Sequence, residues 1–550
     1  MPENRYYSRG RRLLSYYTAA NRAAELLGED LPYPPRKAWI LRMVLLLWFL
    51  ITFGKRPKRP TPRPSNSRHI WWGGLRLRIE DAIGHFLVLG GTGVGKSLIL
   101  QRLLHSVLSH FGPGKDQRAF VFDAKRELYS EIAASHPGIE IKLLDPFDER
   151  GAAWDLAADI LCEADAIQFA ECLIPASKGE EDRFWIVTGR NIAAAIIQTF
   201  IVTAPGKWTL RDVLLTMRSR ERIAQVIGSN PETAHLWAEA TRDERTLSNL
   251  MASFHAQLTR YNTVAALWHR CPRKFSLKEW ISSDSILLVR SHPKYSAALQ
   301  PFHQAMLDVL IDLILSQQDS QTRRTWMFLD ECRDLGKVAK LPRCANLSRS
   351  VGCVIAAGVQ SVEGMYEAYG GEYPATELLG LMRNVTFLRT SSPITSNYAE
   401  RFFGSVEWLI ERISHSRSSS GNGGATHSTS VDHTHRTEPS VLASEIMDIA
   451  PPSMEQPLQL FNDVPAIGAF TASLPLQHFL KPEGTPKAST PNVIEVGTRN
   501  QRLMEWTAAD LKRLKLPQSM LLPAPAQIDA ALAQLDVLTQ LDNPNPSKAS

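Results

Sequence analysis

The chain has no CxxC pair, no Cys/His set at zinc-finger spacing, no guanine-type NKxD signature and no acidic cluster at its end. Its six cysteines (Cys162, Cys172, Cys271, Cys332, Cys344, Cys353) are scattered over 550 residues. That pattern excludes a small disulfide-stapled scaffold and suits a reducing compartment. Neither sign of charge dominates: 62 Lys and Arg stand against 56 acids, and 44% of the chain is hydrophobic. A wholly disordered or collagen-like chain is therefore excluded, and at ~150 residues per domain the length implies three or four folding units. The charge is unevenly placed. Residues 1–80 hold 16 Lys and Arg against five acids, a local balance of +11, which leaves −5 of the overall +6 for the other 470 residues.

Long apolar runs are also scarce. Residues 38–53 (AWILRMVLLLWFLITF) form the most apolar stretch, shorter than the ~20 residues that span a bilayer comfortably. Arg42 interrupts it near one end, where a long side chain can snorkel to the interface. A buried core helix or a signal-peptide core has similar composition. Two features favour a membrane anchor over about 38–54. The run is followed by GKRPKRPTPRP (54–64), which ends a helix and does not pack into a core. It also begins late for a signal peptide, with no small-residue cleavage site after it. Lys55, Arg56, Lys58, Arg59, Arg63 and Arg68 place the downstream side in the cytoplasm. No other span is expected in the body.

What is present is sharper. HFLVL (85–89) reads as a buried strand and runs into Gly90-Gly91-Thr92-Gly93-Val94-Gly95-Lys96-Ser97, followed by SLILQRLLHSVL with helical apolar spacing. This is the strand–loop–helix context that GxxxxGK[ST] requires. Glycines let successive N–H groups turn inward onto phosphate oxygens, and the following helix presents its positive end. Lys96 is placed to reach the β- and γ-phosphates and Ser97 to ligate Mg²⁺. A second buried strand, TWMFL (325–329), delivers Asp330 and Glu331 at its carboxyl end. There Asp330 would hold Mg²⁺ and Glu331 would polarise an attacking water. A third, GCVIAAG (352–358), leads to Gln360, positioned as a γ-phosphate sensor. With no guanine signature, the expected nucleotide is ATP.

Lys96 and Asp330 are 234 residues apart, more than a compact nucleotide core needs. Residues from about 156 to 280 carry helical patterns such as 184–202 and 210–226 and few strand-like runs, so an all-α domain is expected inside an α/β core. Residues 415–440 (HSRSSSGNGGATHSTSVDHTHRTEPS) read as a mobile solvated loop rather than as a metal site of His427, His433 and His435. The end of the chain from about 481 is Pro-rich, with one helix expected at 527–541.

Several segments, in order, resemble the TraD/TraG-type coupling proteins of type IV secretion: GHFLVLGGTGVGKS, FVFDAKREL (120–128), LDPFDERGAAWDL (144–156), EEDRFWIVTGR (180–190), WMFLDECRDLGK (326–337), GVQSVEGMYEAYG (358–370), MRNVTFLRT (382–390) and YAERFFG (398–404). The segments around Trp154 and Trp185 are most like the F-type TraD branch. The resemblance implies a RecA-like P-loop NTPase core with an inserted all-α domain and an N-terminal membrane anchor. It implies a homo-hexameric, ATP- and Mg²⁺-dependent DNA translocase at the bacterial inner membrane, its ATPase body in the cytoplasm. Such a motor would couple the relaxase-bound DNA of the relaxosome to the inner-membrane components of the secretion channel. An FtsK/HerA-type DNA pump and a receptor recruiting secreted proteins are the alternatives. The same resemblance implies an arginine completing each site from a neighbouring subunit, with Arg349 (in SRSVG) first and Arg389 second. F-type relatives have two membrane helices, whereas this chain shows one marginal span. The expected division is an N-terminal basic segment with its anchor (1–70), a nucleotide domain in two parts (71–155 and 281–480), the inserted all-α domain (156–280) and the tail (481–550).

Overall fold

A computed structural model of the chain describes residues 3–27, 69–80, 84–175, 183–240, 244–419, 425–479, 490–497 and 501–521. The expected anchor at 38–54 and the expected helix at 527–541 lie outside the described residues. Contacts divide the chain into two units, Met1–Gly151 with Leu277–Glu495, and Ala152–Ser276 with Val496–Ser550.

The strands are β1 (Glu3–Gly10), β2 (His69–Trp72), β3 (Leu75–Arg78), β4 (Phe86–Leu89), β5 (Gln117–Asp123), β6 (Ile141–Leu144), β7 (Ala153–Trp154), β8 (Lys274–Phe275), β9 (Ile286–Arg290), β10 (Arg324–Leu329), β11 (Cys353–Val359), β12 (Asn384–Phe387), β13 (Ser405–Ser419), β14 (Ala425–Pro439), β15 (Leu458–Val464) and β16 (Gly468–Leu474). The first unit is built on a nine-stranded sheet in the order β16-β15-β12-β4-β11-β10-β5-β9-β6. Every pairing from β12 to β6 is parallel, and β15 and β16 add an antiparallel edge. The central strands are buried along their whole length: FLVL, QRAFVFD, ILLVR, RTWMFL and CVIAAGV. They read as continuous apolar runs because a parallel sheet is covered on both faces. Trp72 meets Phe86 edge-on and Phe86 lies tilted against Trp326 in the core, with ring centroids 4.8 and 6.1 Å apart.

His85 opens β4 in a left-handed conformation (φ 55°) and is buried. Its Nδ1 accepts the Ile355 N–H at 3.0 Å and its Nε2 donates to the Ala345 carbonyl at 2.8 Å. One imidazole thus ties β4 to β11 and to the helix Leu341–Leu347.

Residues 415–440 were expected as a loop, but 415–419 lie in β13 and 425–439 form β14 of a long antiparallel pair. β13 and β14 pair antiparallel from Ser405↔Pro439 to Ser419↔Ala425, and β1 adds a third strand. The physical reason is visible in hindsight. The pairing begins in SVEWLIERI, where Val406 and Ile410 are buried on one face, and the Thr and Val residues of β14 carry it onward.

The second unit is helical, with Glu163–Leu173, Arg183–Thr203, Leu210–Thr216, Arg220–Gly228, Ala234–Ala240, Glu244–Leu258 and Asn262–Arg270. Its entry and exit are sealed by the parallel pair β7–β8. A segment from the far end of the sequence docks on it. The Trp506 indole N–H donates to Asp212 Oδ1 at 2.9 Å, and the guanidinium of Arg222 lies 4.9 Å over the ring. Arg513 grips Asp212 with both terminal nitrogens at 3.0 Å, while Arg211, 1% exposed, pairs with Asp510 at 3.0 Å. Burial alone would raise the Asp510 pKa, but hydrogen bonds from Arg211 and Thr507 hold it well below the usual carboxylate range.

Among the described residues two helices are long and apolar enough to cross a membrane, Ile186–Thr203 and Ser296–Leu315. They are 56% and 67% buried inside the fold, and core helices reach such hydropathy for that reason alone.

Two predictions follow from this packing. Within Ser296–Leu315, burial pushes the His303 imidazole down to about 4. The native state therefore refuses a proton that the unfolded chain accepts below about 6.5, so stability falls as pH drops from about 6.5 toward 4, by up to about 1.4 kcal/mol per unit. Urea midpoints across that range should drop, less steeply in His303→Gln. Trp506→Ala should cost about 3–5 kcal/mol and open residues 501–521 to limited proteolysis, whereas Met504→Ala, at a position 53% exposed, should change neither.

Candidate active site

The loop Gly90–Gly95 leaves the carboxyl end of β4 between two neighbours. The Gly90 N–H donates to Val359 O of β11 at 3.2 Å, and the Gly91 N–H donates to Arg389 O, just past β12, at 2.8 Å. Gly93 (φ 73°) and Gly95 (φ 102°) take left-handed conformations that turn the backbone into the helix Lys96–Leu108. A side chain at Gly95 would also meet Leu458 Cδ1 at 2.9 Å.

β10 lies two strands from β4, with β11 between them, and its carboxyl end reaches the same edge of the sheet. The Ser97 hydroxyl there donates to Asp330 Oδ2 at 3.0 Å, joining residues 233 apart in sequence. Lys96 Nζ donates to the Gly91 carbonyl at 2.7 Å, so its ammonium is held within the loop. Gln360, just past β11, hydrogen-bonds through Nε2 to the Thr92 hydroxyl. The expected residues from Gly90 to Ser97, with Asp330, Glu331 and Gln360, thus converge on one edge.

Electrostatics bind the cluster. Burial lowers the Lys96 pKa against the opposing pull of Glu331 and Asp330. Burial raises Asp330 despite its bond from Ser97, and it raises Glu331, helped by Asp330 and opposed by Lys96. Asp330 Oδ1 is buried without a hydrogen-bond partner. A carboxylate with one oxygen on a serine hydroxyl and the other free is the donor set of a hard divalent cation, so Ser97 and Asp330 fit Mg²⁺. The glycine loop with Lys96 fits a polyphosphate.

The two candidate arginines separate. Arg389 adjoins the loop through its backbone carbonyl. Arg349 precedes β11 and lies at the amino-terminal ends of the strands, opposite the loop, so within one chain it does not meet the phosphate site.

Lys125 was missed. Its Nζ donates to Ser97 Oγ at 3.3 Å, and its charge acts on Lys96, Asp330 and Glu331. It is aimed by the turn after β5. Asp123 accepts the N–H groups of Glu127 and Leu128 at 3.1 Å, and Arg126 takes φ 61°. Arg126 in turn pairs with buried Asp145 at 2.9 Å and with Glu495 at 2.6 Å. The available signal was a lysine two residues past a buried strand that ends at the same edge as β4 and β10.

With the site described, the comparisons can be placed. Residues 69–469 match the model of the type IV secretion-system coupling protein DNA-binding domain. This chain belongs to that family. A family relative, the coupling protein TraD of Escherichia coli (strain K12), is 26% identical over 350 residues, which cover 61% of this chain and 46% of TraD. The chain thus matches about half of that relative's length. Among solved structures, the plasmid coupling protein TrwB bound to ADP and Mg²⁺ and to an ATP analogue superposes with a TM-score of 0.62 in each case, and TrwB bound to a GTP analogue with 0.61. Each is 19% identical and covers 90% of this chain and 99% of TrwB. At that identity the likeness establishes the fold, which is the expected RecA-like α/β core with an all-α insertion.

A Cβ on Gly358 of β11 would overlap the Asp330 carbonyl oxygen. Gly358→Ala should therefore force β10 and β11 apart, destabilise the unit by about 1–3 kcal/mol and weaken nucleotide binding. Gly138→Ala, with open space around the new methyl, should do neither in melting and nucleotide-titration experiments.

Proposed function

We propose that this chain is an ATP-hydrolysing DNA translocase of conjugative type IV secretion, anchored at the inner membrane through residues 38–54 and working as a homo-hexamer. The observation that carries the catalytic part is the Ser97–Asp330 hydrogen bond with Glu331 beside it. It supports one site made of a phosphate cradle, a cation ligand pair and a general base. The coupling role rests on family membership over residues 69–469. The TrwB structures, bound to ADP with Mg²⁺ and to ATP and GTP analogues, support a nucleotide at this loop. DNA, the relaxosome and the secretion channel are the proposed partners.

In this reading the loop N–H groups and Lys96 hold the β- and γ-phosphates. Ser97 and Asp330 would hold Mg²⁺, which would supply positive charge against the phosphate oxygens. Glu331 accepts a proton from the attacking water as its oxygen bonds to the γ-phosphorus and the bond to the bridging oxygen breaks, leaving ADP and phosphate. Lys96, its desolvated ammonium close to the leaving oxygens, opposes the charge that develops there. Gln360, already on Thr92, is placed to sense the γ-phosphate, and Lys125 steadies Ser97. An arginine from a neighbouring copy, Arg349 before Arg389, would complete the site.

Full-length protein should hydrolyse ATP faster with DNA than without it. Lys96→Ala should abolish turnover. Glu331→Gln should retain nucleotide binding with turnover reduced about 10²–10⁴-fold. Equal rates with and without DNA would refute the motor and favour the receptor reading. Mixing Arg349→Ala with Lys96→Ala subunits should restore part of the activity, and normal turnover by Arg349→Ala alone would refute that arginine.

A further inference from the structure

At the edge of the sheet opposite the phosphate loop, the first unit holds a cavity of about 340 Å³ beneath the amino-terminal ends of β4, β11 and β12. Its wall is of two kinds. One part is cationic, with Arg76, Arg78, Arg349 and Arg383 against Glu80, the one carboxylate among the described lining residues. Among the described residues no ion pair holds Arg349 or Arg383. Burial lowers the pKa of His85 on the same wall, against the pull of its bond to the Ala345 carbonyl, and the Arg383 charge lowers it further. The other part is aliphatic, formed by Ala23, Leu26, Leu77, Leu381 and Val464. Leu26 is 38% exposed, one of the few large apolar side chains open to solvent in this unit.

Guanidiniums facing an aliphatic wall suit an amphiphile that carries a phosphate. The planar fork binds phosphate oxygens in pairs, and the apolar side takes carbon chains. The position in the sequence narrows the class. The helix Tyr16–Leu27, which supplies Ala23 and Leu26, is the last described element before the apolar run at 38–53. The hairpin β2–β3, which supplies Arg76 and Arg78, is the first one after the basic stretch that follows. Both therefore flank the proposed anchor, and because they line one cavity in one unit, the anchor of this proposal enters and leaves the membrane on the cytoplasmic side, as a re-entrant segment. A basic pocket beside a membrane segment on the cytoplasmic side is the usual setting for an anionic headgroup.

We infer that this cavity binds the headgroup of an anionic phospholipid, its phosphate on Arg383, Arg76 and Arg78 and its glycerol and proximal chains along Leu26 and Leu381. The inference rests on reading residues 38–53 as a membrane anchor. DNA phosphates would meet the same guanidiniums, but nucleic acids bind through rows of phosphates along an extended basic surface, and a single partly aliphatic cavity offers none.

Full-length protein in an uncharged detergent should be titrated calorimetrically with dioctanoyl phosphatidylglycerol, dioctanoyl phosphatidylcholine, inorganic phosphate and a single-stranded oligonucleotide. Phosphatidylglycerol should bind saturably and phosphatidylcholine should not. Removing one guanidinium in Arg383→Gln should weaken phosphatidylglycerol about tenfold, and Arg383→Lys should recover most of that loss. Asn346→Asp, which adds a carboxylate at an exposed position of the wall, should weaken it as well. Unchanged nucleotide affinity in all three variants verifies their fold. Equal affinity for the two lipids, or wild-type affinity in Arg383→Gln, would overturn the inference. Inorganic phosphate binding as tightly as phosphatidylglycerol would make it a free-phosphate site, and displacement of the lipid by the oligonucleotide would assign it to nucleic acid; either result overturns the lipid occupant. Full-length protein recovered in the soluble fraction of cells would refute the anchor itself, while the short-chain titration would still report on the cavity.

Discussion

The parallel sheet imposes the constraint on which the rest of this molecule depends. β4, β10, β11 and β5 must all deliver their carboxyl ends to one edge, and the hydrogen bond from Ser97 to Asp330 is where that requirement is met. A parallel sheet needs a crossover connection between each pair of strands, so its neighbours can be far apart in sequence. Here the chain leaves β6, builds a helical unit and returns through β9, yet Lys96 and Asp330 remain within each other's field. The insertion brings its own two ends together where β7 and β8 pair. Loop-closure entropy grows slowly with the length inserted.

Charge is concentrated at the same edge and must be desolvated there. Lys96, Asp330 and Glu331 are all shifted by burial toward their neutral forms; the two acids oppose the shift of Lys96, and Lys96 opposes the shift of each acid. Leaving such groups unpaired would be costly, so the network extends outward, through Lys125 to Ser97 and through Arg126 to Asp145 and Glu495. The residues around Glu495 come from the end of the sequence, where Asn492 also accepts from Ser130 and Asp148 accepts the Ile494 N–H. A late segment therefore belongs to the support of the same edge. The next one, with Trp506 and Asp510, belongs to the helical unit.

The opposite edge has its own chemistry. His85, in a strained left-handed conformation, is fixed by two hydrogen bonds and helps to wall a cavity rich in arginine. Arg76 and Arg78 from the basic first 80 residues meet Arg349 and Arg383 from the acidic remainder, so one place is cationic although the chain as a whole is near balance. Overall charge predicts neither where such a place lies nor which strands frame it.

Much of the site was legible from residues 85 to 97 and 325 to 331. Their signals are local: a buried strand, a glycine turn and a helix, or a strand ending in two acids. The α/β core and its helical insertion were legible from the same strands and from the 234-residue gap. Lys125 was not, because nothing local distinguishes one lysine in FDAKREL; only the packing of β5 beside β10 carries its ammonium to Ser97. Residues 415–440 were misread as a loop because polar, glycine-rich composition is a weak guide where strand pairing satisfies the backbone of β13 and β14. The docked tail, the cavity at the amino-terminal ends and the separation of Arg349 from the loop are likewise tertiary results. Sequence by itself determined the phosphate cradle, the acid pair and the fold class, since short-range backbone geometry and side-chain period encode them. Which distant residues support that edge was decided only when parallel strands, whose order in space differs from their order in the chain, came together.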